Sequence, residues 1–450
     1  MHWSHRSGVP SVARMASVVD SPAARASAAR TPAPGASAPG VRARTAASAE
    51  RRLAAALWCA GVATFALLYA PQGLLTEVAA GTGVAPSRTS LLISAATAGL
   101  ALSVLPWAWL SDRVGRPAAM RAAAVAAAVL SVAVPLLPTF ELLVAGRLLQ
   151  GAALGGIPAL AMTLVHESAT PLRAGALAGS YVAATSVGGL SGRLLAAPAG
   201  EWLGWRGGLV VVGVALTVLM AVLVVLLPRG GAPAGGRAAA ARPADVQSRD
   251  ARTGGDTRPS SRGAVRTHLR DPRMLALFAV GGLLVGGMVA IFNYLPFRLE
   301  AQPYGLAPTV VSLIFLTYLA GTAGSRAAAW LAGRWSHRAV IALGGALLAV
   351  GALVTLAGPL VVVVSGVVVL VTGLFVGHAV ASSRVGARAV TGRAQATALY
   401  TVTYYLGSSV FGWLAGIAWD GGGWPLVAGL VAALGAVALV LALYGERPAG

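Results

Sequence analysis

Apolar residues in this chain gather into long unbroken runs rather than the every-other-residue rhythm of a half-buried strand. From Leu53 onward twelve such runs alternate with short polar breaks: 53–75, 89–110, 118–137, 142–166, 175–197, 208–227, 274–296, 309–331, 339–358, 360–382, 396–418 and 425–444. At a rise of about 1.5 Å per residue, each is long enough to cross a hydrocarbon layer about 30 Å thick. Backbone N–H and C=O groups cannot face lipid unpaired, so each run is expected to be a helix. Numbered as spans 1 to 12, they predict an all-α membrane protein of two six-helix halves, 53–227 and 274–445. The one long break, 228–273, places ten arginines among Ala, Gly, Pro, Ser and Asp and reads as a flexible linker. Residues 1–52 read as a disordered basic tail. No apolar stretch follows Arg6 and Arg14 to make a secretory signal, and Met15 offers a second start.

Composition closes off other classes. Only 11% of the 450 residues are charged, against about 25% in soluble domains, so a water-facing surface could not be covered. A single cysteine, Cys59, rules out an intramolecular disulfide and a cysteine-based metal site. The net charge of +20 could suggest a nucleic-acid binder, but every basic residue is arginine and the arginines sort by loop. With the N-terminus inside, 27 of them lie on the inner side and three, Arg88, Arg206 and Arg298, on the outer side. The excess persists when only short loops are counted. This bias predicts both termini in the cytoplasm of a multi-pass cell-membrane protein, most simply a bacterial inner-membrane one. The acidic residues lean outward: Glu77, Glu141, Glu201, Glu300 and Asp420 all fall at outer positions. Topology therefore accounts for the basic charge without nucleic acid, and the partners expected are the lipid bilayer, a small-molecule substrate and protons.

The halves echo one another. Tyr69-Ala70-Pro71 returns as Tyr294-Leu295-Pro296, and Gly83-Val84-Ala85-Pro86 as Gly305-Leu306-Ala307-Pro308. Ala108-Trp109-Leu110 returns as Ala329-Trp330-Leu331, each followed three residues on by an arginine, Arg113 or Arg334, and Gly204-Trp205 returns as Gly423-Trp424. Four pairs in order at nearly one offset predict a duplication, with a pseudo-twofold axis along the membrane normal and a cavity between the halves.

Between spans 2 and 3 lies Leu110-Ser111-Asp112-Arg113-Val114-Gly115-Arg116. It resembles the loop signature of the major facilitator superfamily, G-x-L-[A/S]-D-R-x-G-R-[R/K], departing from it at Ala108 and Pro117. Asp112, Arg113, Gly115 and Arg116 are the expected conformational latch. In the second copy Gly333 replaces the aspartate and Arg334 remains, which puts a symmetric latch in doubt. Arg147-Leu148-Leu149-Gln150-Gly151 in span 4 resembles the superfamily's R-x-x-Q-G motif. There the resemblance implies substrate contact or proton coupling, while snorkelling to headgroups is the alternative for Arg147. Span 5 carries Ser180, Ala184, Gly188 and Gly192 at steps of four, and span 11 carries Ser408, Gly412 and Gly416. Close helix packing through Gly188, Gly192, Gly412 and Gly416 is one reading. A gating hinge is the other, since the span 5 stretch is similar to an antiporter motif but lacks its proline. Arg193 follows on the same helix, with a buried partner or a headgroup contact both open. Gly377-His378-Ala379 and Tyr404-Tyr405-Leu406-Gly407 look like the arabinose-efflux-like and drug:proton-antiporter-like permeases of the superfamily.

The resemblance covers residues 53–445 and implies alternating access: a secondary transporter, expected to act as a monomer, without cofactor or metal, and not an enzyme. The candidate substrate contacts are Tyr69, Gln72, Arg147, Gln150, Tyr181, Thr185, Asn293, His378, Tyr400 and Tyr404. No Asp or Glu lies near the middle of any span, so the proton-coupling candidates are Glu77, Arg147 and His378, the last with an ordinary pKa near 6.5. The expected activity is proton-coupled efflux of a small hydrophobic drug-like or sugar-like metabolite, with an uptake permease of the same fold as the alternative. A P-loop needs a lysine, and the chain has none.

Overall fold

The computed structural model describes residues 39–168, 171–228 and 261–445. Most of the expected tail, and 229–260 of the expected linker, lie outside them. Residues up to Ser48 and those from Ala49 form separate compact units; the second holds every span.

Ten helices among the described residues are long and apolar enough to cross a bilayer. Two of these are double. The helix Pro171–Leu226 breaks at Gly204 (φ 70°, ψ 162°), and Arg393–Gly445 breaks at Gly423 (φ 64°), so each supplies two spans and the total is twelve. A left-handed φ is costly for any residue with a Cβ, which is why the repeated Gly-Trp pairs mark both corners.

The boundaries have local causes. Span 1 ends the helix Pro39–Tyr69, then tightens into a 3₁₀ turn Ala70–Gly73, because Pro71 has no N–H to continue the ladder. Span 2, Leu91–Val114, stops at Gly115 (φ 85°), and span 3 starts with Pro117 in its first turn. Span 4 is Phe140–Ser168 and span 7 Pro272–Glu300. Span 8 is interrupted: Pro308–Ser312 leads through a 3₁₀ stretch, Leu313–Thr317, into Tyr318–Ala332. Spans 9 and 10 are His337–Val354 and Leu360–Arg388. Ser261–Arg270, inside the expected linker, is also a helix; its His268 ring nitrogen lies 3.2 Å from the Gly392 carbonyl between spans 10 and 11.

Small residues set the helix pairs. A Cβ on Gly188 or Gly192 would run into the backbone of Val62 or Ala66, so span 5 lies directly on span 1. Gly282 and Gly407 do the same for spans 7 and 11. Gly412 and Gly416 face the other half: a Cβ on Gly416 would sit 2.7 Å from Ser87 Cα, and one on Gly412 3.4 Å from Ser94 Oγ. Loops after odd-numbered spans hold Glu77, Glu141, Glu201, Glu300 and Asp420 and form the acidic end of the bundle. The Gly115 turn marks the opposite, arginine end.

Candidate functional site

Bonds between the halves gather toward the acidic end. At their centre is a two-amide bridge: Gln72 Nε2 donates to Asn293 Oδ1 at 2.5 Å, both residues having no exposed surface. Gln72 Oε1 accepts from Arg193 Nε at 2.7 Å. Ser409 Oγ donates to the Ser94 carbonyl at 2.7 Å. Thr309 donates both its N–H and its hydroxyl to the Glu201 carboxylate, each at 2.8 Å, at the start of span 8. Thr76 Oγ1 stands 2.8 Å from Glu77 Oε2 and 3.1 Å from Glu300 Oε1.

Arg193 is the largest fully buried side chain, with 0% exposure. One terminal nitrogen donates to the Gly189 carbonyl at 2.6 Å, and the other is 3.5 Å from the Tyr318 hydroxyl. Its guanidinium carbon lies 4.4 Å from the Tyr69 ring centre, 4.8 Å from Phe315, 5.0 Å from Tyr318 and 5.7 Å from Phe292. Such faces attract a cation electrostatically. Three of these four rings belong to the second half.

A second cluster lies on spans 10 and 11. His378 Nδ1 is 2.8 Å from the Tyr400 hydroxyl, and its ring is 4.8 Å from Tyr404. Tyr404 packs edge-on against Tyr405. Tyr181, Asn293, Ser94 and Ser408 each keep a buried polar atom without a hydrogen-bond partner.

Arg147 is placed differently from the expectation. Nε donates to Leu92 O at 2.9 Å, one terminal nitrogen to Leu67 O at 3.1 Å and Gln150 Oε1 at 2.5 Å, and the other to Leu68 O at 2.5 Å. Leu67 is four residues before Pro71, so its carbonyl has lost its helical donor. The guanidinium fills that gap and ties spans 1, 2 and 4 together. The cavity beside Arg147 and Gln150, about 30 Å³, has room for water rather than for a metabolite. In this conformation neither residue reaches the inter-half bridge.

The latch residues bond within their own half. Arg116 lies 2.9 Å from Glu167 and 4.0 Å from Asp112, while Arg113 stacks on Trp109 at 3.6 Å. Arg334 repeats that last contact on Trp330 at 4.0 Å. At the arginine end Glu50 also pairs with Arg173, and Asp271 with Arg388 at 2.8 Å, each within one half.

Residues 57–389 match the family profile described as Major Facilitator Superfamily. The chain belongs to that superfamily. It is 36% identical over 390 residues to the inner membrane transport protein YnfM of Escherichia coli K12, covering 87% of this chain and 89% of that protein. It is 34% identical to YybF, an uncharacterized MFS-type transporter of Bacillus subtilis 168, covering 88% and 94%. Among solved structures, the nucleoside transporter NupG superposes with a TM-score of 0.66 at 13% identity, covering 87% of this chain and 98% of NupG. A bacterial homologue of the lysosomal transporter Spinster, inward-facing and unoccupied, gives 0.64 at 15%, covering 88% and 94%. At such identities these two likenesses speak for the fold alone.

Of the expected contacts, this superfamily fold brings Tyr69, Gln72 and Asn293 together around Arg193, and His378, Tyr400 and Tyr404 into the second cluster. It leaves Arg147 and Gln150 apart. Arg193 was visible as an arginine within an apolar span. Its aromatic cage was not, because all four rings come from residues more than 90 positions away.

Proposed function

We propose that this superfamily member is a proton-coupled exporter of a small hydrophobic drug-like or sugar-like metabolite, working by alternating access with both termini in the cytoplasm. The acidic end then faces outward, and the conformation described is the one in which the halves are bridged at that outer end. One observation carries the reading: the bridging bonds, Gln72–Asn293, Thr76–Glu300, Glu201–Thr309 and Ser94–Ser409, crowd one end, while at the other Arg116 pairs with Asp112 and Glu167, and Arg388 with Asp271, each within one half. Gln72, Asn293, Tyr69, Tyr181, His378, Tyr400 and Tyr404 are the proposed walls of the substrate path.

Proton coupling is supported at Thr76. A hydroxyl has one hydrogen to donate, yet this oxygen lies within hydrogen-bond distance of two carboxylate oxygens, one from each half. The second contact is favourable only if one carboxyl carries a proton. Burial pushes Glu77 above the usual carboxylate range, its own backbone bond and Thr76 pull it back, and the charge of Glu201 pushes it up again; the net direction is upward. The bridged state thus holds a proton taken up from the outer face as the halves close. Its preference is full below the ordinary carboxylate pKa and is lost as pH rises through the raised one.

A growth-inhibition screen of deletion against overexpressing cells selects the substrate, and everted vesicles then test the coupling. Uptake into these vesicles should stop when both the pH gradient and the membrane potential are collapsed, and Glu77→Gln should flatten its pH dependence while the protein still folds. Transport undiminished without either gradient defeats the coupling. Accumulation inside overexpressing intact cells defeats the direction in favour of uptake.

A further inference from the structure

We propose that the cleft selects an aromatic anion, a planar ring bearing one carboxylate or sulfonate, and that Arg193 sets this preference. The inference rests on the transporter reading above and narrows its substrate class.

The first ground is charge inside the spans. Among the described residues carboxylates occur only near span ends: Glu50, Asp112, Glu141, Glu201, Glu300 and Asp420 all sit at the start or finish of a span or at the corner between two. Arginines do not follow that rule. Arg193 lies eight positions before Glu201, inside span 5, and Arg326 lies within span 8 as an exposed side chain. Ionisable groups inside a membrane bundle are costly and mark the path of a charged solute or a relay.

The second ground is how Arg193 is held. Its hydrogen-bond partners, Gln72 Oε1, the Gly189 carbonyl and the Tyr318 hydroxyl, are all neutral. Among the described residues no carboxylate is within ion-pair reach of it. Amide oxygens and ring faces stabilise the guanidinium, but they leave its full unit charge uncancelled. In a poorly polarisable interior such a charge projects well beyond contact distance and repels a cation in the adjoining cleft.

The third ground is what surrounds it. Phe292, Phe315 and Tyr318 come from the second half, whereas Gln72, Tyr69 and Gly189 come from the first. Separation of the halves at the acidic end removes three rings and the Tyr318 contact, and leaves guanidinium N–H groups facing the gap. A carboxylate or sulfonate oxygen is the group that replaces those contacts best. On spans 10 and 11 the rings of His378, Tyr404 and Tyr405 pack in series, a surface suited to stacking a flat aromatic body. Ring and charge together define the ligand; either alone would leave half of the arrangement without a purpose.

The test uses full-length protein in detergent and three probes of one shape, 1-naphthoate, 1-naphthylmethylammonium and 1-naphthylmethanol, titrated by calorimetry. Wild type should bind naphthoate at least tenfold more tightly than the ammonium, with the alcohol between. Arg193→Gln should bring the ratio to about one, and Arg193→Lys should keep part of it. The wild-type ratio decides the matter should Arg193→Gln fail to fold. Equal or tighter binding of the ammonium, absence of naphthoate binding up to millimolar concentration, or an unchanged ratio in folded Arg193→Gln overturns the proposal. Anion selectivity in a protein whose vesicles transport without any proton gradient would leave this inference standing and sink only the coupling.

Discussion

In the first half, span 4 buries a guanidinium whose donors go to Leu67, Leu68, Leu92 and Gln150. In the second half the residues 219 to 225 positions further on, Gly366–Thr372, carry no charge. Span 10 closes on span 9 by contact alone: a Cβ on Gly344 would sit 2.6 Å from Gly377 Cα, and one on Gly366 2.8 Å from Gly351 O. The first half approaches as closely, since a Cβ on Gly151 of span 4 would run into the Ala96 carbonyl of span 2, so what distinguishes it is the added polar splint. What a duplication preserves is the distance between helices; the chemistry that holds the distance is free to drift. The prediction is that both halves fail on gaining a methyl group between spans, and that only the first fails also on losing donors in span 4.

The largest effect should come from Arg147→Ala. It orphans the Leu67 carbonyl, at roughly 1–3 kcal/mol, and removes the bonds to Leu68, Leu92 and Gln150 besides, and so should lower the melting temperature of the detergent-purified protein sharply. Arg147→Lys, with three donors on one nitrogen, should recover part of the loss. A variant that melts like wild type yet transports nothing would instead return Arg147 to the substrate path. Next comes Gly344→Val on the other side of the comparison. Overpacking of this kind costs about 1–3 kcal/mol, so the melt should shift less than for Arg147→Ala, with no dependence on pH. A neutral outcome would mean that spans 9 and 10 are looser than their glycines imply.

How much of this was legible beforehand follows from the range of each interaction. The twelve spans, their six-plus-six arrangement and the Gly-Trp corners were legible, because hydropathy and a left-handed φ are written in consecutive residues. Even so, the two pairs of spans joined at Gly204 and Gly423 run on as long helices with a single break. The helix Ser261–Arg270 was hidden by a composition that reads as linker. Gln72 and Asn293 could be proposed one by one as polar residues at suitable depth. Their 2.5 Å bond joins positions 221 apart, and nothing local encodes it. The expectation for Arg147 was substrate contact or proton coupling; its partner Gln150 stands in the same motif, but its backbone carbonyl partners are displayed by none, and only the missing N–H of Pro71 hints at Leu67.

The smallest effect should separate the halves at the arginine end, where the charges are exchanged. In the first half an acid closes span 4, Glu167 bound to Arg116; in the second a base closes span 10, Arg388 bound to Asp271 at the start of span 7. Asp271 also accepts from the Arg273 N–H at 2.9 Å and so caps its helix. Burial alone would raise this carboxyl, but the Arg388 and backbone hydrogen bonds outweigh it and hold it below its ordinary 3.8. A lowered carboxylate adds stability above the ordinary value and loses it as pH falls through the lowered one. Asp271→Asn keeps the capping oxygen and removes the charge. It should therefore cost no more than about 1 kcal/mol near neutrality, as partly exposed pairs do. The gap to wild type should close in melts taken below pH 3.8. A gap that stays constant across that range would show that Arg388 and Asp271 merely touch, and that the exchanged charges carry no stability in the second half.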